Sequence, residues 1–311
     1  MISVLCPCFN EEKSLPLFWE RITAVMGTGD DCEFVFVNDG STDGTLSVML
    51  ELASLHGGVR IINLSRNFGK EAALSAAIDY ASGDAVIPID ADLQDPPELI
   101  PDMIAKWKEG YDVVLARRTD RKSDSFLKRW TAGCFYRLHN RISHPPIPEN
   151  VGDFRLMSRR VVDVLKLLPE RQRFMKGLFA WVGFKTAVIG YARAERSAGK
   201  SSFNFFRLWK LAVEGITSFS ALPLIIWSYL GGIISLAAFL YAAYVALRTI
   251  MYGVTVPGYA STLCLMLFLG GLQLLGIGII GEYLSRTYME TKGRPLYVVA
   301  DIFGSDAKDL S

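Results

Sequence analysis

The sequence predicts an α/β fold: a mostly parallel, doubly wound sheet, followed by interfacial helices and two transmembrane helices. Short apolar runs of strand length alternate with helix-sized segments along the N-terminal part of the chain, as βα units do in a parallel sheet. Polar and charged residues collect where those runs end. Further on, no Asp, Glu, Lys or Arg occurs from Gly215 to Leu247 or from Thr249 to Gly281. Each stretch exceeds the roughly 20 apolar residues that cross a bilayer.

In chain order, Ile2–Cys8 reads as the first strand, followed by Phe9-Asn10-Glu11-Glu12 and a helix from about Ser14. Glu33–Val37 is the second, ending in Asn38-Asp39-Gly40-Ser41. Val59–Leu64 is the third, ending in Ser65-Arg66-Asn67-Phe68-Gly69-Lys70 before an Ala-rich helix. The fourth, Ala85-Val86-Ile87-Pro88-Ile89, stops abruptly at Asp90-Ala91-Asp92-Leu93-Gln94-Asp95, and Pro96-Pro97 opens the next helix. A fifth, Asp112–Ala116, ends at Arg117-Arg118.

Residues 124–142 repeat Leu127, Trp130, Cys134, Leu138 and Ile142 at helical spacing, interleaved with Lys128, Arg129, Arg137 and Arg141. That pattern suits a helix in the membrane interface or a surface helix packed on the sheet. Phe203, Phe205, Phe206 and Trp209 beside Arg207 and Lys210 make Phe203–Leu211 a second interfacial candidate. It leads into spans near residues 222–247 and 260–281. Asn150–Met157 and Glu195–Ser202 read as connections that could wall a site.

The 311 residues suffice for one sizeable domain and an appendage, and 33 Lys+Arg against 32 Asp+Glu make no case for nucleic acid. Five cysteines without a Cys-x-x-Cys pair fit a reduced compartment. Basic residues precede the first span (Arg207, Lys210) and follow the second (Arg286, Lys292, Arg294), while the loop between carries only Arg248. The positive-inside rule then puts the N-terminal region and the C-terminal tail in the cytoplasm of a multi-pass inner-membrane protein. No cleavable signal opens the chain. The expected division is a cytoplasmic domain at 1–202, a juxtamembrane helix at 203–221, a two-helix hairpin at 222–285 and a tail at 286–311. Gly231-Gly232 and Gly270-Gly271 permit close helix approach, which would allow a homo-oligomer.

Glu11, Asp39, Lys70, Asp90, Asp92 and Arg117 all fall at the carboxyl edge of the strands, where open α/β sheets bind ligands. Asp90 and Asp92 could both reach one hard cation, Mg2+ or Mn2+, which leaves coordination sites for phosphate and water. The acids also read as a helix N-cap cluster, with Asp92 or Asp95 feeding the first turn around Pro96. No Gly-x-Gly-x-x-Gly follows the first strand and no Gly-x-x-x-x-Gly-Lys-Ser/Thr loop occurs, so a nucleotide would be held through a metal.

Six motifs together resemble the polyisoprenyl-phosphate branch of glycosyltransferase family 2. They are Pro7-Cys8-Phe9-Asn10-Glu11-Glu12, Asn38-Asp39-Gly40-Ser41, Asn67-Phe68-Gly69-Lys70, Asp90-Ala91-Asp92-Leu93-Gln94-Asp95-Pro96, Gly152-Asp153-Phe154-Arg155 and Gly199-Lys200-Ser201. The likeness extends through both apolar spans and is strongest to the bactoprenol glucosyltransferases; dolichyl-phosphate mannose synthases are similar in the soluble domain. Cys8-Phe9 departs from the family's usual small or β-branched residue and Tyr.

The resemblance implies a GT-A-like fold, a nucleotide-diphosphate sugar donor and a polyprenyl phosphate acceptor, with UDP-glucose and undecaprenyl phosphate as the expected pair. By similarity, Pro7, Phe9, Glu11 and Asp39 hold the nucleoside, and Lys70 and Ala91 join the donor site. Asp90, Asp92 and Gln94 hold Mg2+ or Mn2+. Arg117, Lys128, Arg196 and Lys200 receive the acceptor phosphate. Asp92 and Asp153 are the expected catalytic residues, Asp153 aligning the acceptor or taking a residual proton. Transfer of mannose, aminoarabinose or N-acetylglucosamine, or a silent membrane scaffold, remain the alternatives at this stage.

Overall fold

The computed structural model describes residues 1–29, 31–119, 150–171, 173–191, 222–252 and 258–304, with some side chains of the last two ranges left aside. Two compact units emerge: Met1–Gly215 with Arg294–Ser311, and Ile216–Gly293.

The first unit is built on an eight-stranded sheet. Its strands are β1 (Ile2–Cys8), β2 (Cys32–Asn38), β3 (Val59–Leu64), β4 (Ala85–Pro88), β5 (Val113–Arg118), β6 (Val151–Ser158), β7 (Thr186–Tyr191) and β8 (Val299–Gly304), in the order β7-β5-β6-β4-β1-β2-β3-β8. All of β2 and β4 is buried, as expected of strands covered on both faces. Side chains alternate across the sheet. Val4, Cys6, Phe34 and Phe36 face α1 (Leu15–Met26), where Trp19 meets Phe34 edge-on at 4.9 Å and Phe18 meets Phe36 at 6.4 Å. α2 spans Thr45–Leu55. In α3 (Lys70–Tyr80), Ala72 through Ile78 are all buried, because small side chains let the helix lie close against β1 and β2.

The sheet is mostly parallel, as expected, and it is mixed: six strands run one way and β6 and β8 run the other. β1 pairs in parallel with β2 and β4, β2 with β3, and β5 with β7, whereas β6 runs antiparallel to both β4 and β5, and β8 runs antiparallel to β3. Asn150–Met157, read from the sequence as a connection, is the inserted strand β6. Its direction matters for the site. An antiparallel strand starts where its parallel neighbours end, so the opening residues of β6 lie beside the carboxyl ends of β4 and β5.

Among the described residues, this unit also contains the α-helices α4 (Ile100–Lys108), α5 (Arg159–Leu167) and α6 (Met175–Val182). The described residues of the second unit include α7 (Leu222–Tyr252) and α8 (Tyr259–Thr291). Among the described residues one stretch, Phe268–Thr291, is long and apolar enough to cross a membrane. It overlaps the expected second span but begins and ends later. Lys128, Arg196, Lys200 and the helical segments expected at 124–142 and 203–211 lie outside the described residues.

Candidate active site

The site is assembled at the carboxyl ends of β4, β1 and β2, with the start of β6 and the N-terminus of α3 beside them. Lys70, the first residue of α3, reaches between two acids: its Nζ is 2.7 Å from Asp90 Oδ2 and 2.9 Å from Asp153 Oδ2. Asp90 follows β4, and Asp153 is the third residue of β6. Burial works against the Lys70 ammonium, but the two carboxylates outweigh it and hold its pKa well above the lysine range. The acids do not respond alike. Burial, with Asp153 and Asp92 adding repulsion, raises Asp90 despite Lys70. Asp153 is lowered, because Lys70, Lys176 and Arg155 overcome the cost of its burial. Asp153 is therefore the more firmly ionised of the pair.

Next to them, desolvation and then Asp153 push the Glu71 carboxyl up to about 7, although the residue as a whole keeps much of its surface; its Oε2 accepts the Met175 N–H at 3.2 Å. Arg155 is buried beneath Asp153. It donates to Gly152 O at 2.7 Å and stacks its guanidinium 4.1 Å from the Phe179 ring centre, and burial lowers its pKa to about 10.

Beyond β4 the chain turns sharply. Asp92 Oδ1 accepts the Gln94 N–H at 3.1 Å, and Leu93 between them adopts φ +57°. A left-handed residue other than glycine costs on the order of 1 kcal/mol, so packing around the turn holds a conformation the chain alone would avoid. Ala91 and Gln94 are buried. Asp95 faces away from the acid pair, accepts from the Tyr191 hydroxyl and lies 3.8 Å from Arg118. Burial and Asp95 together push the Tyr191 phenol up to about 12.

Asp39 closes the other flank. Its two carboxylate oxygens accept the N–H groups of Phe68 (2.7 Å) and Gly69 (2.9 Å), tying the β2 turn to the loop before α3, while burial pushes its carboxyl up against the pull of both amides. Gly40 at φ +64° is obligatory there, since a Cβ would stand 2.4 Å from the backbone of Arg66 and Asn67. Glu11 accepts from the Ser14 hydroxyl; burial raises its pKa, and Asp92, Asp90 and Asp43 add to the shift.

Phe9 is exposed, Pro7 is part-buried on β1, and Arg117 is an exposed cation one residue before the end of β5. Of the residues expected from the sequence, the structure joins Lys70, Asp90 and Asp153 directly, and places Glu11, Asp39, Ala91, Asp92 and Gln94 around them. Glu71, Lys176, Asp95, Arg118 and Tyr191 were not anticipated. Glu71 adjoins Lys70 and Asp95 lies within a quoted motif, but nothing local marks Arg118, Tyr191 or Lys176.

The donor set fits a hard divalent cation. Asp90, Asp92 and Glu11 offer only oxygen, and Asp92 adds to the upward shift of both Asp90 and Glu11, so negative charge is concentrated beside Lys70. Among the described residues no group of three or more His, Cys, Asp or Glu is arranged to hold a metal by itself. A cation here would complete its shell with substrate oxygens and water.

The family model described as glycosyl transferase family 2 matches residues 3–165. A prophage bactoprenol glucosyl transferase homolog of Escherichia coli is 54% identical over 96% of this chain and 98% of its own. The bactoprenol glucosyl transferase of Shigella phage SfII is 54% identical over 96% and 97%. A solved structure, the mannosyltransferase PcManGT from Pyrobaculum calidifontis in complex with GDP-Man and Mn2+, is 18% identical with a TM-score of 0.49, covering 94% of this chain and 86% of that one. A family match over residues 3–165 and 54% identity along nearly the whole chain establish that the protein belongs to glycosyltransferase family 2 and is a glycosyltransferase.

Proposed function

We propose that the protein transfers glucose from UDP-glucose to undecaprenyl phosphate, giving a polyprenyl-phosphate-glucose for cell-surface glycan modification. The observation that carries this reading is the 54% identity, along nearly the full length of both chains, to proteins named for bactoprenol glucosyl transfer.

In this reading Pro7, Phe9, Glu11 and Asp39 hold the nucleoside, Lys70 and Ala91 line the donor site, and Asp90, Asp92 and Gln94 hold Mg2+ or Mn2+. When bound, the cation neutralises charge developing on the leaving diphosphate. The acceptor is a phosphate monoester with a second pKa of about 6, hence largely dianionic at neutral pH. One of its oxygens attacks the anomeric carbon as the bond to UDP breaks and UDP leaves with the electron pair. In-line attack inverts that carbon, so an α-linked donor gives a β-linked lipid. Such a nucleophile scarcely needs a base. Asp153, held ionised by Lys70, Lys176 and Arg155, fits a role in aligning the acceptor better than one as a strong base. Arg117, with Lys128, Arg196 and Lys200, supplies cations for the acceptor phosphate.

The fold supports a membrane hairpin with both flanks in the cytoplasm. β8 belongs to the same sheet as β1–β7 although residues 216–293 separate it from them. If that segment enters a bilayer, it must cross an even number of times. α7 and α8, of 31 and 33 residues, are each long enough for one crossing. The cytoplasmic domain would then run to residue 202, with an interfacial segment at 203–221 and the hairpin over 222–285.

The test is a transfer assay. Purified full-length protein, undecaprenyl phosphate and Mg2+ or Mn2+ receive radiolabelled UDP-glucose, GDP-mannose or UDP-N-acetylglucosamine. Label is expected in a β-linked lipid from UDP-glucose and is lost with EDTA. Label from another donor, or an α-linked product, would overturn the donor or the inverting step respectively.

A further inference from the structure

Three neighbouring strands carry a row of polar side chains that the proposed chemistry leaves unused. Asn38 ends β2, Asn63 lies opposite it on β3, and Asp301 lies opposite Asn63 on β8. Asn63 Nδ2 donates to Asp301 Oδ2 at 3.0 Å, Asn38 Nδ2 donates to Asn63 Oδ1 at 2.9 Å, and Asn38 Oδ1 accepts the Ser41 N–H at 3.2 Å. The two ends of the row fix the orientation of both amides. A backbone N–H only donates and a carboxylate only accepts, so each carboxamide must point its NH2 toward Asp301. With Asn63 reversed, two NH2 groups would face each other at one end, and a carbonyl would face a carboxylate at the other.

The row ends in the turn that Asp39 and Gly40 occupy. Ser41 Oγ accepts the Asn10 N–H at 3.0 Å, and Asn10 Oδ1 accepts the Thr42 N–H at 2.9 Å, so the turn is joined in turn to the loop after β1. The segment that bears Asp301 is tied down elsewhere too. Ser65 N donates to Val298 O at 2.9 Å, and the Tyr297 hydroxyl donates to Asp79 Oδ2 at 2.8 Å. Loss of the Asp301 carboxylate therefore removes the end of the row without releasing β8.

We propose that Asp301 is a positioning residue for the Asn38–Ser41 turn: acting through Asn63 and Asn38, it sets where that flank of the donor pocket stands. The inference rests on the proposed function only for what the turn binds; the hydrogen-bonded row itself does not depend on it.

The experiment compares full-length wild type with Asp301→Ala, Asp301→Asn and Tyr297→Phe. Hydrogen exchange of peptides covering residues 38–42 is read first, then the dissociation constants for UDP-glucose and GDP-mannose, and kcat at saturating donor. Asp301→Ala should speed exchange at the turn and weaken donor binding, each roughly three- to tenfold, the worth of one hydrogen bond, with kcat unchanged. Asp301→Asn keeps an acceptor oxygen and should restore both readouts. Tyr297→Phe loosens the same segment away from the row and should move neither. Unchanged exchange at 38–42 in Asp301→Ala would overturn the inference, as would an equal effect from Tyr297→Phe. Wild type that binds GDP-mannose and not UDP-glucose would displace the donor proposed above, and the exchange data would decide the row alone.

Discussion

Charge is clustered at both ends of the central sheet, and the two clusters are built differently. At the amino ends of the strands, Glu33 on β2 is almost fully buried, and its carboxylate is shared by Arg60 (3.2 Å), the Ser3 hydroxyl (2.5 Å) and the Ser82 N–H (3.0 Å). Ser3 in turn accepts the Gly83 N–H, and Arg60 also donates to Tyr80 O. Donors and acceptors close on one another within the fold. At the carboxyl ends, Lys70 is divided between Asp90 and Asp153 while Asp92, Glu11 and Glu71 add further negative charge. In the reading proposed above, a bound cation and the substrate would complete that cluster. The contrast is between a carboxylate balanced by donors of its own fold and several carboxylates gathered around one lysine.

Three substitutions probe this contrast. Asp92→Asn keeps an acceptor for the Gln94 N–H but removes the charge, so transfer should fall roughly 100- to 1,000-fold with no loss of thermal stability, checked by the lipid assay beside a melting curve. Glu33→Ala should do the reverse. Removing one partner of a buried pair costs about 3–5 kcal/mol, read as a lower urea midpoint, while transfer per folded molecule stays at the wild-type rate. If Glu33→Ala spared stability or Asp92→Asn reduced it as much, the contrast between the ends would collapse. The smallest effect concerns pH. The folded Glu71 carboxyl, raised to about 7, binds its proton more tightly than the unfolded one near 4.5. Its contribution to stability is therefore full below about pH 4.5 and is lost as pH rises through about 7. Glu71→Gln should narrow the difference in melting temperature between pH 5 and pH 8.

Much of this was legible in the sequence where local pattern and burial agree. Ile2–Cys8 and Val59–Leu64 match β1 and β3 end to end, because most of their residues are apolar and buried in the sheet. Asp90, Lys70 and Asp153 could be named because they stand in distinctive motifs. β6 was missed because Gly152, Asp153 and Arg155 interrupt its apolar pattern; pairing with β4 and β5 makes it a strand. β7 has an exposed, alternating edge, and β8 is short and follows the long helices. Each owes its conformation to a partner distant in sequence. The Tyr191–Asp95–Arg118 contact is invisible for the same reason.

The pairing of β8 with β3 also sets a schedule for synthesis. Asn63 and Asp301 are 238 positions apart, so at ~5–20 residues per second the edge of β3 leaves the ribosome roughly 10 to 50 s before its partner. Throughout that interval β3 presents an open row of N–H and C=O groups, the kind of edge that invites pairing with other chains. The strand that covers it is translated only after the apolar helices. Completion of the sheet is thus a late event in the life of each new chain.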